Sequence, residues 1–275
     1  MPEVTINLGG PLILNEADKH VIDLITAPAA PQLKRGVIVN EGYRLVCLGE
    51  TGSGKTSLMR VVVYSTIARG FAQFALVHDT KNIWPEYPRN VQVTNVAAFL
   101  QRGWRNGDVP AVSFRGNPRA DVEVSAEEVA SYSLKLARQG QIVNGKWQTL
   151  PHVCVIEELS EAASSGRKRL NSPSVLKLVE QGRKMGVSLV GTTQSPANVP
   201  LDILRQASSI AFFRLTGPDV NYMGERLHLD PALIKAVSGS ASEGLPNHQF
   251  ALHVKGIPWD KQIYSLDKRT ALMFE

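Results

Sequence analysis

The amino-acid sequence predicts an α/β fold in which a mostly parallel sheet is flanked by helices. Short apolar runs typical of buried strands alternate with longer segments of helical periodicity along most of the 275 residues. A glycine-rich segment at residues 49–56 joins one of these strands directly to a helix. Two adjacent acids, Glu157 and Glu158, end another apolar strand. Hydrophobic residues make up 43% of the chain, which is enough for a sizeable core.

The first 40 residues differ from the rest and predict a small β-rich N-terminal element, with the main domain at residues 41–275. Residues 4–8 alternate like a strand, and residues 12–14 resume the pattern after a Gly-Gly-Pro break. Residues 27–31 indicate an extended connector. The alternative is that these strands extend the main sheet.

The segment GETGSGKT at residues 49–56 fits G-x-x-x-x-G-K-[ST], the spacing of a phosphate-binding P-loop. A predicted strand at residues 43–48 and a predicted helix at residues 57–69 give the motif its required context. In such a loop, backbone N–H groups and a helix N-terminus surround phosphate oxygens. We expect Lys55 to reach the β- and γ-phosphates of a nucleotide and the Thr56 hydroxyl to ligate Mg²⁺. The expected nucleotide-binding residues are Glu50, Thr51, Gly52, Ser53, Gly54, Lys55, Thr56 and Ser57.

After the P-loop helix, strands and helices continue to alternate. We predict strands at residues 73–78, 109–114, 152–156, 187–193, 209–215 and 249–254. We predict helices at residues 95–101, 125–138, 174–185, 201–206, 219–227 and 231–237. Ser125 and Glu128 have the spacing of a capping box at the start of one helix, and Asn144-Gly145 indicates a hairpin turn.

The strand at residues 152–156 and the acids after it match a Walker B motif. Glu157 would hold Mg²⁺, although the usual residue is Asp, and Glu158 would orient or deprotonate the attacking water. The alternative is a pair of solvated acids at the start of a helix, where acids are favoured. The next strand ends in Gln194, which would sense the γ-phosphate. A polar strand tip after Walker B predicts a RecA-like, additional-strand P-loop NTPase that hydrolyses ATP.

Composition restricts the function classes only weakly. The net charge of +5 is compatible with a polyanionic partner without requiring one. Cys47 and Cys154 lie in apolar strands, which predicts buried thiols and a reducing compartment. The histidines lack metal-ligand spacing, no run of 18 apolar residues is present, and the N-terminus lacks a signal-peptide pattern. We therefore expect neither a zinc site nor a membrane span.

Several segments together resemble the FtsK–HerA superfamily of ring-forming DNA translocases. They are GETGSGKTS at 49–57, HDTK at 78–81, VCVIEELSEAA at 153–163, QGRKMGVSLVGTTQSPANVPLDIL at 181–204 and IAFFRL at 210–215. The resemblance covers residues 37–255, with Glu157 as a departure from the usual Asp. Among members, the compact chain is most similar to the genome-packaging ATPases of membrane-containing viruses.

This resemblance implies an ATP- and Mg²⁺-dependent motor that translocates double-stranded DNA. Members form rings, usually hexamers, with ATP between neighbouring subunits and an arginine from one subunit completing the site of the next. The candidates are Arg183, Arg205 and Arg214, of which we favour Arg183. A surface or helix-terminal arginine that compensates the helix dipole is the alternative for each.

A basic loop after the Walker B strand is the expected DNA contact. Arg167, Lys168 and Arg169 from several subunits would surround a pore and bind phosphates without reading sequence. An ordinary solvated charge cluster is the alternative. Lys81 is a second expected DNA contact. A portal or capsid-vertex protein is a further expected partner, in the host cytoplasm or the virion.

Two other functions remain open from the sequence. One is a cellular HerA-like or conjugative translocase. The other is an ATP-dependent assembly switch that does not move DNA and whose turnover DNA would not change. A small-molecule kinase is disfavoured, because the pairing of Glu158 with Gln194 suits water as the phosphoryl acceptor.

Overall fold

A computed structural model describes most of the chain. It describes residues 15–34, 37–39, 41–79, 90–93, 111–114, 125–143, 146–162, 172–238 and 245–266. The strands are β1 (Gln32–Lys34), β2 (Val37–Val39), β3 (Arg44–Leu48), β4 (Ala75–His78), β5 (Asn90–Val93), β6 (Ala111–Phe114), β7 (Gln141–Val143), β8 (Lys146–Gln148), β9 (His152–Ile156), β10 (Val187–Thr193), β11 (Ser209–Phe212), β12 (Gln249–Val254) and β13 (Ile263–Ser265). The α-helices are α1 (Glu16–Thr26), α2 (Lys55–Ala68), α3 (Ala126–Gln139), α4 (Leu159–Ala162), α5 (Pro173–Gln181), α6 (Leu201–Gln206), α7 (Gly217–Leu227) and α8 (Pro231–Val237).

Nine strands form one sheet in the order β13-β12-β11-β3-β10-β9-β4-β6-β5. The seven strands from β11 to β5 run parallel, and β12 and β13 add an antiparallel edge. Strand β10 lies between β3 and β9, so that Val190 is opposite Leu45 on one side and Val155 on the other. The P-loop strand and the Walker B strand are therefore separated by one strand, which confirms the predicted additional-strand order.

Helices cover both faces of this sheet. Along β3, Leu45 and Cys47 pack in the core with α1 and α2, whereas Val46 and Leu48 pack in the core with α3, α5 and α6. Successive strand residues point to opposite faces, so a sheet covered on both sides needs apolar residues throughout. Cys47 and Cys154 are buried free thiols, as predicted, and burial raises the pKa of each to about 12.

The described part of the N-terminal segment differs from the predicted β-rich element. It contains α1, a 3₁₀ turn at Ala27–Ala29 and the two-stranded hairpin β1–β2. Helix α1 forms because Val21, Ile22 and Ile25 recur at helical spacing behind an Asn15 N-cap, whose side chain accepts the Asp18 N–H at 2.7 Å. These apolar side chains share a core with α2, so this segment packs on the main domain. The strands expected before residue 15 lie outside the described residues.

Most other elements agree with the sequence analysis. The capping box of Ser125 and Glu128 is present at α3, and β7 and β8 form the hairpin expected around residues 144–145. The helix expected at residues 174–185 divides into α5 and a 3₁₀ turn at Gly182–Met185. The helix expected at residues 95–101 lies outside the described residues. None of the helices that the structure describes is long and apolar enough to cross a membrane.

Candidate nucleotide site

The P-loop has the backbone conformation that phosphate binding requires. Gly52 and Gly54 have φ angles of 73° and 104°, which residues with a side chain rarely adopt. Gly54 is the N-cap of α2, so the first turn of this helix follows the loop directly. A Cβ atom on Gly54 would lie 2.9 Å from His248 Cα, so the position also lacks space for a side chain. The loop thus presents backbone N–H groups and a helix N-terminus on the same side.

Lys55 lies over this loop. Its ammonium group donates to the carbonyl oxygens of Gly49 at 2.7 Å and Glu50 at 2.6 Å, and the residue is only 7% exposed. The Ser53 hydroxyl is buried in the same loop, and no described residue forms a hydrogen bond with it. A buried hydroxyl without a partner and a lysine held at the loop both fit a nucleotide phosphate as the missing ligand. Thr56, the expected Mg²⁺ ligand, lies half-buried in the first turn of α2.

The paired acids end β9 at the carboxyl edge of the sheet. Glu157 is buried, and its backbone N–H donates to the His78 carbonyl oxygen at 3.4 Å. Glu158 has a φ of 54°, a left-handed conformation that is uncommon outside glycine and concentrates at functional sites.

Three donors fix the Glu158 carboxylate. Its Oε1 accepts hydrogen bonds from the Ser160 hydroxyl at 2.6 Å, the Thr193 hydroxyl at 2.9 Å and the Gln194 N–H at 3.2 Å. Glu158 is 7% exposed, and among the described residues none donates to its Oε2. One oxygen therefore anchors the side chain, and the other is available to a water molecule.

Gln194 connects this carboxylate to the P-loop. Its side-chain Oε1 accepts the Thr51 hydroxyl at 2.7 Å, while its backbone N–H donates to Glu158. A backbone bond of 3.2 Å from Gly49 N to the Thr193 carbonyl joins the loop to the same strand. The carboxyl ends of β3, β9 and β10 thus meet in one hydrogen-bonded network. This is the edge at which open α/β sheets bind ligands.

Arg214 stabilises the P-loop of its own chain. Its Nε donates to Glu50 Oε2 at 2.9 Å, its Nη1 donates to the Leu245 carbonyl, and its own carbonyl accepts the Glu50 N–H at 3.1 Å. The side chain is 12% exposed, so the ion pair is largely shielded from water. One of the three arginines considered for a site in the neighbouring subunit is therefore engaged within its own subunit.

Arg183 and Arg205 lie at the opposite edge of the sheet. Arg183 precedes β10 and forms an ion pair with Glu41 at 3.3 Å, and Arg205 is in α6, just before β11. Both positions are at the amino ends of parallel strands, whereas the P-loop follows the carboxyl end of β3. The structure does not bring Arg183 into the nucleotide site of its own chain. Its predicted role depends on an adjacent subunit.

Some residues of the site were not predicted from the sequence. Thr193 and Ser160 donate hydrogen bonds to the Glu158 carboxylate. The polar pair Thr192-Thr193 at the end of an apolar strand could have indicated from the sequence that Thr193 belongs to the site. His248, with a φ of 64°, donates its backbone N–H to the Ser53 carbonyl at 2.8 Å. No local pattern pointed to His248, because it reaches the loop only through the pairing of β12 with β11.

The expected DNA contacts lie outside the part of the chain that the structure describes. They are Lys81, Arg167, Lys168 and Arg169.

Comparison with known proteins finds similarity in structure. No protein-family model matches the sequence, and no curated protein is similar to it. The genome packaging NTPase B204 from Sulfolobus turreted icosahedral virus 2 aligns over 83% of this chain and 98% of its own. Its complex with sulfate gives a TM-score of 0.59 at 14% identity, its complex with AMP 0.58 at 15%, and its complex with ATP-gammaS 0.56 at 14%. The chain thus has a P-loop fold like that of a packaging ATPase.

Proposed function

We propose that this chain hydrolyses ATP and uses the energy to translocate double-stranded DNA, as the motor of viral genome packaging. The observation that carries the proposal is the continuous network from Thr51 through Gln194 to Glu158. It connects the P-loop to a carboxylate whose Oε2 receives no hydrogen bond from a described residue, and hydrolysis by an activated water needs such an acceptor. The similarity of the fold to that of a genome packaging NTPase also supports this proposed function.

In this mechanism the P-loop N–H groups and Lys55 bind the ATP phosphates. Thr56 and Glu157 would hold Mg²⁺, which supplies charge neutralisation at the phosphates when bound. Glu158 Oε2 accepts the proton of the attacking water, while the three bonds to Oε1 keep the carboxylate in place. Gln194 forms hydrogen bonds with both the P-loop and Glu158, so release of the γ-phosphate would change the contacts of both.

Coupling to DNA would begin at Glu158. Helix α4 starts at the next residue and leads directly into residues 163–171, which contain the basic loop. We propose that Arg167, Lys168 and Arg169 contact DNA phosphates there and that Lys81 adds a contact after β4. In this proposal, a rearrangement at the Glu158 carboxylate would reach the DNA contacts along α4 and the few residues that follow it in the sequence.

The active form would be a ring, most simply a hexamer, in which Arg183 from one subunit completes the site of the next. A portal or capsid-vertex protein would anchor the ring, and the motor would work in the host cytoplasm or on the virion. The alternative within this proposal is a cellular HerA-like or conjugative translocase, which would use the same ATP site to move DNA other than a viral genome.

ATP hydrolysis with and without long double-stranded DNA, at low and moderate salt, tests the proposal. Glu158→Gln keeps the shape of the side chain, and we expect turnover to fall by about 10²- to 10⁴-fold, the usual contribution of a general base. Glu127→Gln is the matched control, because Glu127 caps α5 by accepting the Ser174 N–H at 2.8 Å, away from the P-loop. Full turnover in Glu158→Gln would contradict the catalytic assignment.

DNA dependence separates the motor from the assembly switch. For the motor, DNA raises turnover and salt suppresses the increase, since phosphate contacts release counterions. Replacing Arg167, Lys168 and Arg169 together by Ala should abolish this stimulation and leave basal turnover intact. The matched control replaces three exposed cations of α3 and α5: Lys135, Arg138 and Lys177. Turnover that is indifferent to DNA in the unmodified protein would favour the switch.

A further inference from the structure

A cleft with several charged residues in its lining opens at the amino edge of the central strands, on the other edge of the sheet from the P-loop. Its volume is about 420 Å³. Arg44 at the start of β3, Lys184 before β10 and Lys255 after β12 contribute to its lining, together with Arg183. Glu180 is the one carboxylate among the described residues that line it. The cleft therefore carries an excess of positive charge.

Two buried side chains of this cleft have donors without an acceptor among the described residues. Arg44 is 8% exposed, and its guanidinium makes one long hydrogen bond, from Nη1 to the Gln206 carbonyl at 3.4 Å, while no described residue accepts from its Nε. Ser209 is 1% exposed, and its hydroxyl has no hydrogen-bond partner in the described part of the chain. A guanidinium offers five N–H donors, and buried donors are normally satisfied. Both residues line the same cleft, so a ligand bound there that reached these groups would supply the acceptor.

The local structure neutralises only part of the positive charge. Lys255 donates to the Arg205 carbonyl at 3.0 Å near the end of α6, and Arg183 pairs with Glu41. Such cations are expected where helix C-termini gather. Lys184 is exposed and forms no ion pair with any described residue. Burial and the nearby Arg183 lower the pKa of Arg44 to about 10, so its charge is poorly compensated.

We propose that this cleft binds a phosphate group through Arg44, Ser209 and Lys184. A guanidinium from β3, a hydroxyl from β11 and an ammonium from the turn before β10 line one cleft, and such a set suits the several oxygens of a tetrahedral dianion or phosphodiester better than a planar carboxylate. The phosphate could be free orthophosphate or part of a nucleic-acid backbone, since both present the same oxygens. The inference goes beyond the proposed motor function and does not depend on ATP hydrolysis.

The test compares two double variants of the full chain with the P-loop saturated by ATP-gammaS. Ser209→Ala with Lys184→Gln removes the unpaired hydroxyl and one cation from the cleft. Ser65→Ala with Lys177→Gln is the matched control. The Ser65 hydroxyl is also buried without a hydrogen-bond partner among the described residues, and Lys177 is an exposed lysine outside the cleft. Thermal unfolding checks that both variants fold.

Binding is measured by equilibrium dialysis of labelled orthophosphate and by fluorescence anisotropy of a short DNA duplex over a salt series. Orthophosphate affinity that falls about tenfold or more in the cleft variant alone supports a free-phosphate site. Duplex affinity that falls in the cleft variant, with a salt slope reduced by about 1, supports a phosphodiester site. If the cleft variant binds both probes as tightly as the control variant does, the proposal is overturned. Because both readouts are binding under ATP-gammaS, their outcome is separate from any failure of DNA-stimulated hydrolysis.

Discussion

The change Thr193→Val tests whether β10 positions the carboxylate of Glu158, the proposed general base. Thr193 is fully buried, donates to Glu158 Oε1 at 2.9 Å and accepts the Ser195 N–H at 3.1 Å. Valine fills the same space without the hydroxyl. The loss of a hydrogen bond to a charged group predicts a fall of about 1.5–3 kcal/mol in the free energy of unfolding. Glu158 keeps two donors, Ser160 and the Gln194 N–H, so it stays nearby but loses its fixed position.

We expect the turnover number to fall by about tenfold to a hundredfold, the usual effect of misplacing a catalytic group, with ATP affinity unchanged. Thr66→Val is the matched control: Thr66 is equally buried in α2, and its hydroxyl bonds to the Tyr43 hydroxyl at 2.9 Å, away from the carboxyl edge of the sheet. It should lose stability but keep turnover. In the background of Glu158→Gln, Thr193→Val should have little further effect. Two results would refute this account of the site. One is full turnover in Thr193→Val, and the other is that Thr193→Val and Glu158→Gln reduce turnover independently, so that their effects multiply.

Three further predictions follow from the same geometry. Gly54→Ala, which forces a Cβ to within 2.9 Å of His248 in a left-handed backbone, should abolish binding of a fluorescent ATP analogue and cost about 1–2 kcal/mol of stability. Arg214→Gln should weaken ATP binding even in the monomer, because Arg214 holds Glu50 of its own P-loop; a defect seen only in assembled rings would contradict this. Burial lowers the pKa of His152 to about 4. Below about pH 6.5 the imidazole therefore takes up a proton in the unfolded chain but not in the folded one, which favours unfolding. Denaturant unfolding should show a free energy of unfolding about 2 kcal/mol smaller at pH 5 than at pH 7.5. The variant His152→Gln should lack this pH dependence.

The central fold could be predicted because its signals are local. Strands buried on both faces are apolar throughout, as in residues 187–193, and their helices begin at recognisable residues such as Ser125 and Pro173. The exact bounds of β10, α6, α8 and β12 were predicted in this way. Helix α1 was not predicted, because prolines and strand-like alternation on either side of it outweigh the helical spacing of its apolar residues at 21, 22 and 25.

Within the candidate nucleotide site, only the residues that belong to a recognisable sequence motif could be predicted. The P-loop, the paired acids and Gln194 all follow strands, and topology brings their carboxyl ends together. The residues that hold the motif residues in position could not be predicted in the same way. Arg214 and His248 reach the loop through pairings between strands that are distant in the chain, and Thr193 acts through a hydrogen bond that no spacing specifies.

The position of Arg183 sets a condition on how the ring would assemble. Parallel α/β folds place helix N-termini at the carboxyl edge of the sheet and helix C-termini at the amino edge, so anion-binding loops and compensating cations separate to opposite edges. Arg183 follows this rule, because it lies in the 3₁₀ turn Gly182–Met185 that follows the C-terminus of α5. It can complete a nucleotide site only if the amino edge of one subunit faces the P-loop edge of the next. That is a head-to-tail contact, the kind that closes into a ring, and an interface that pairs two P-loop edges would exclude Arg183 from the role.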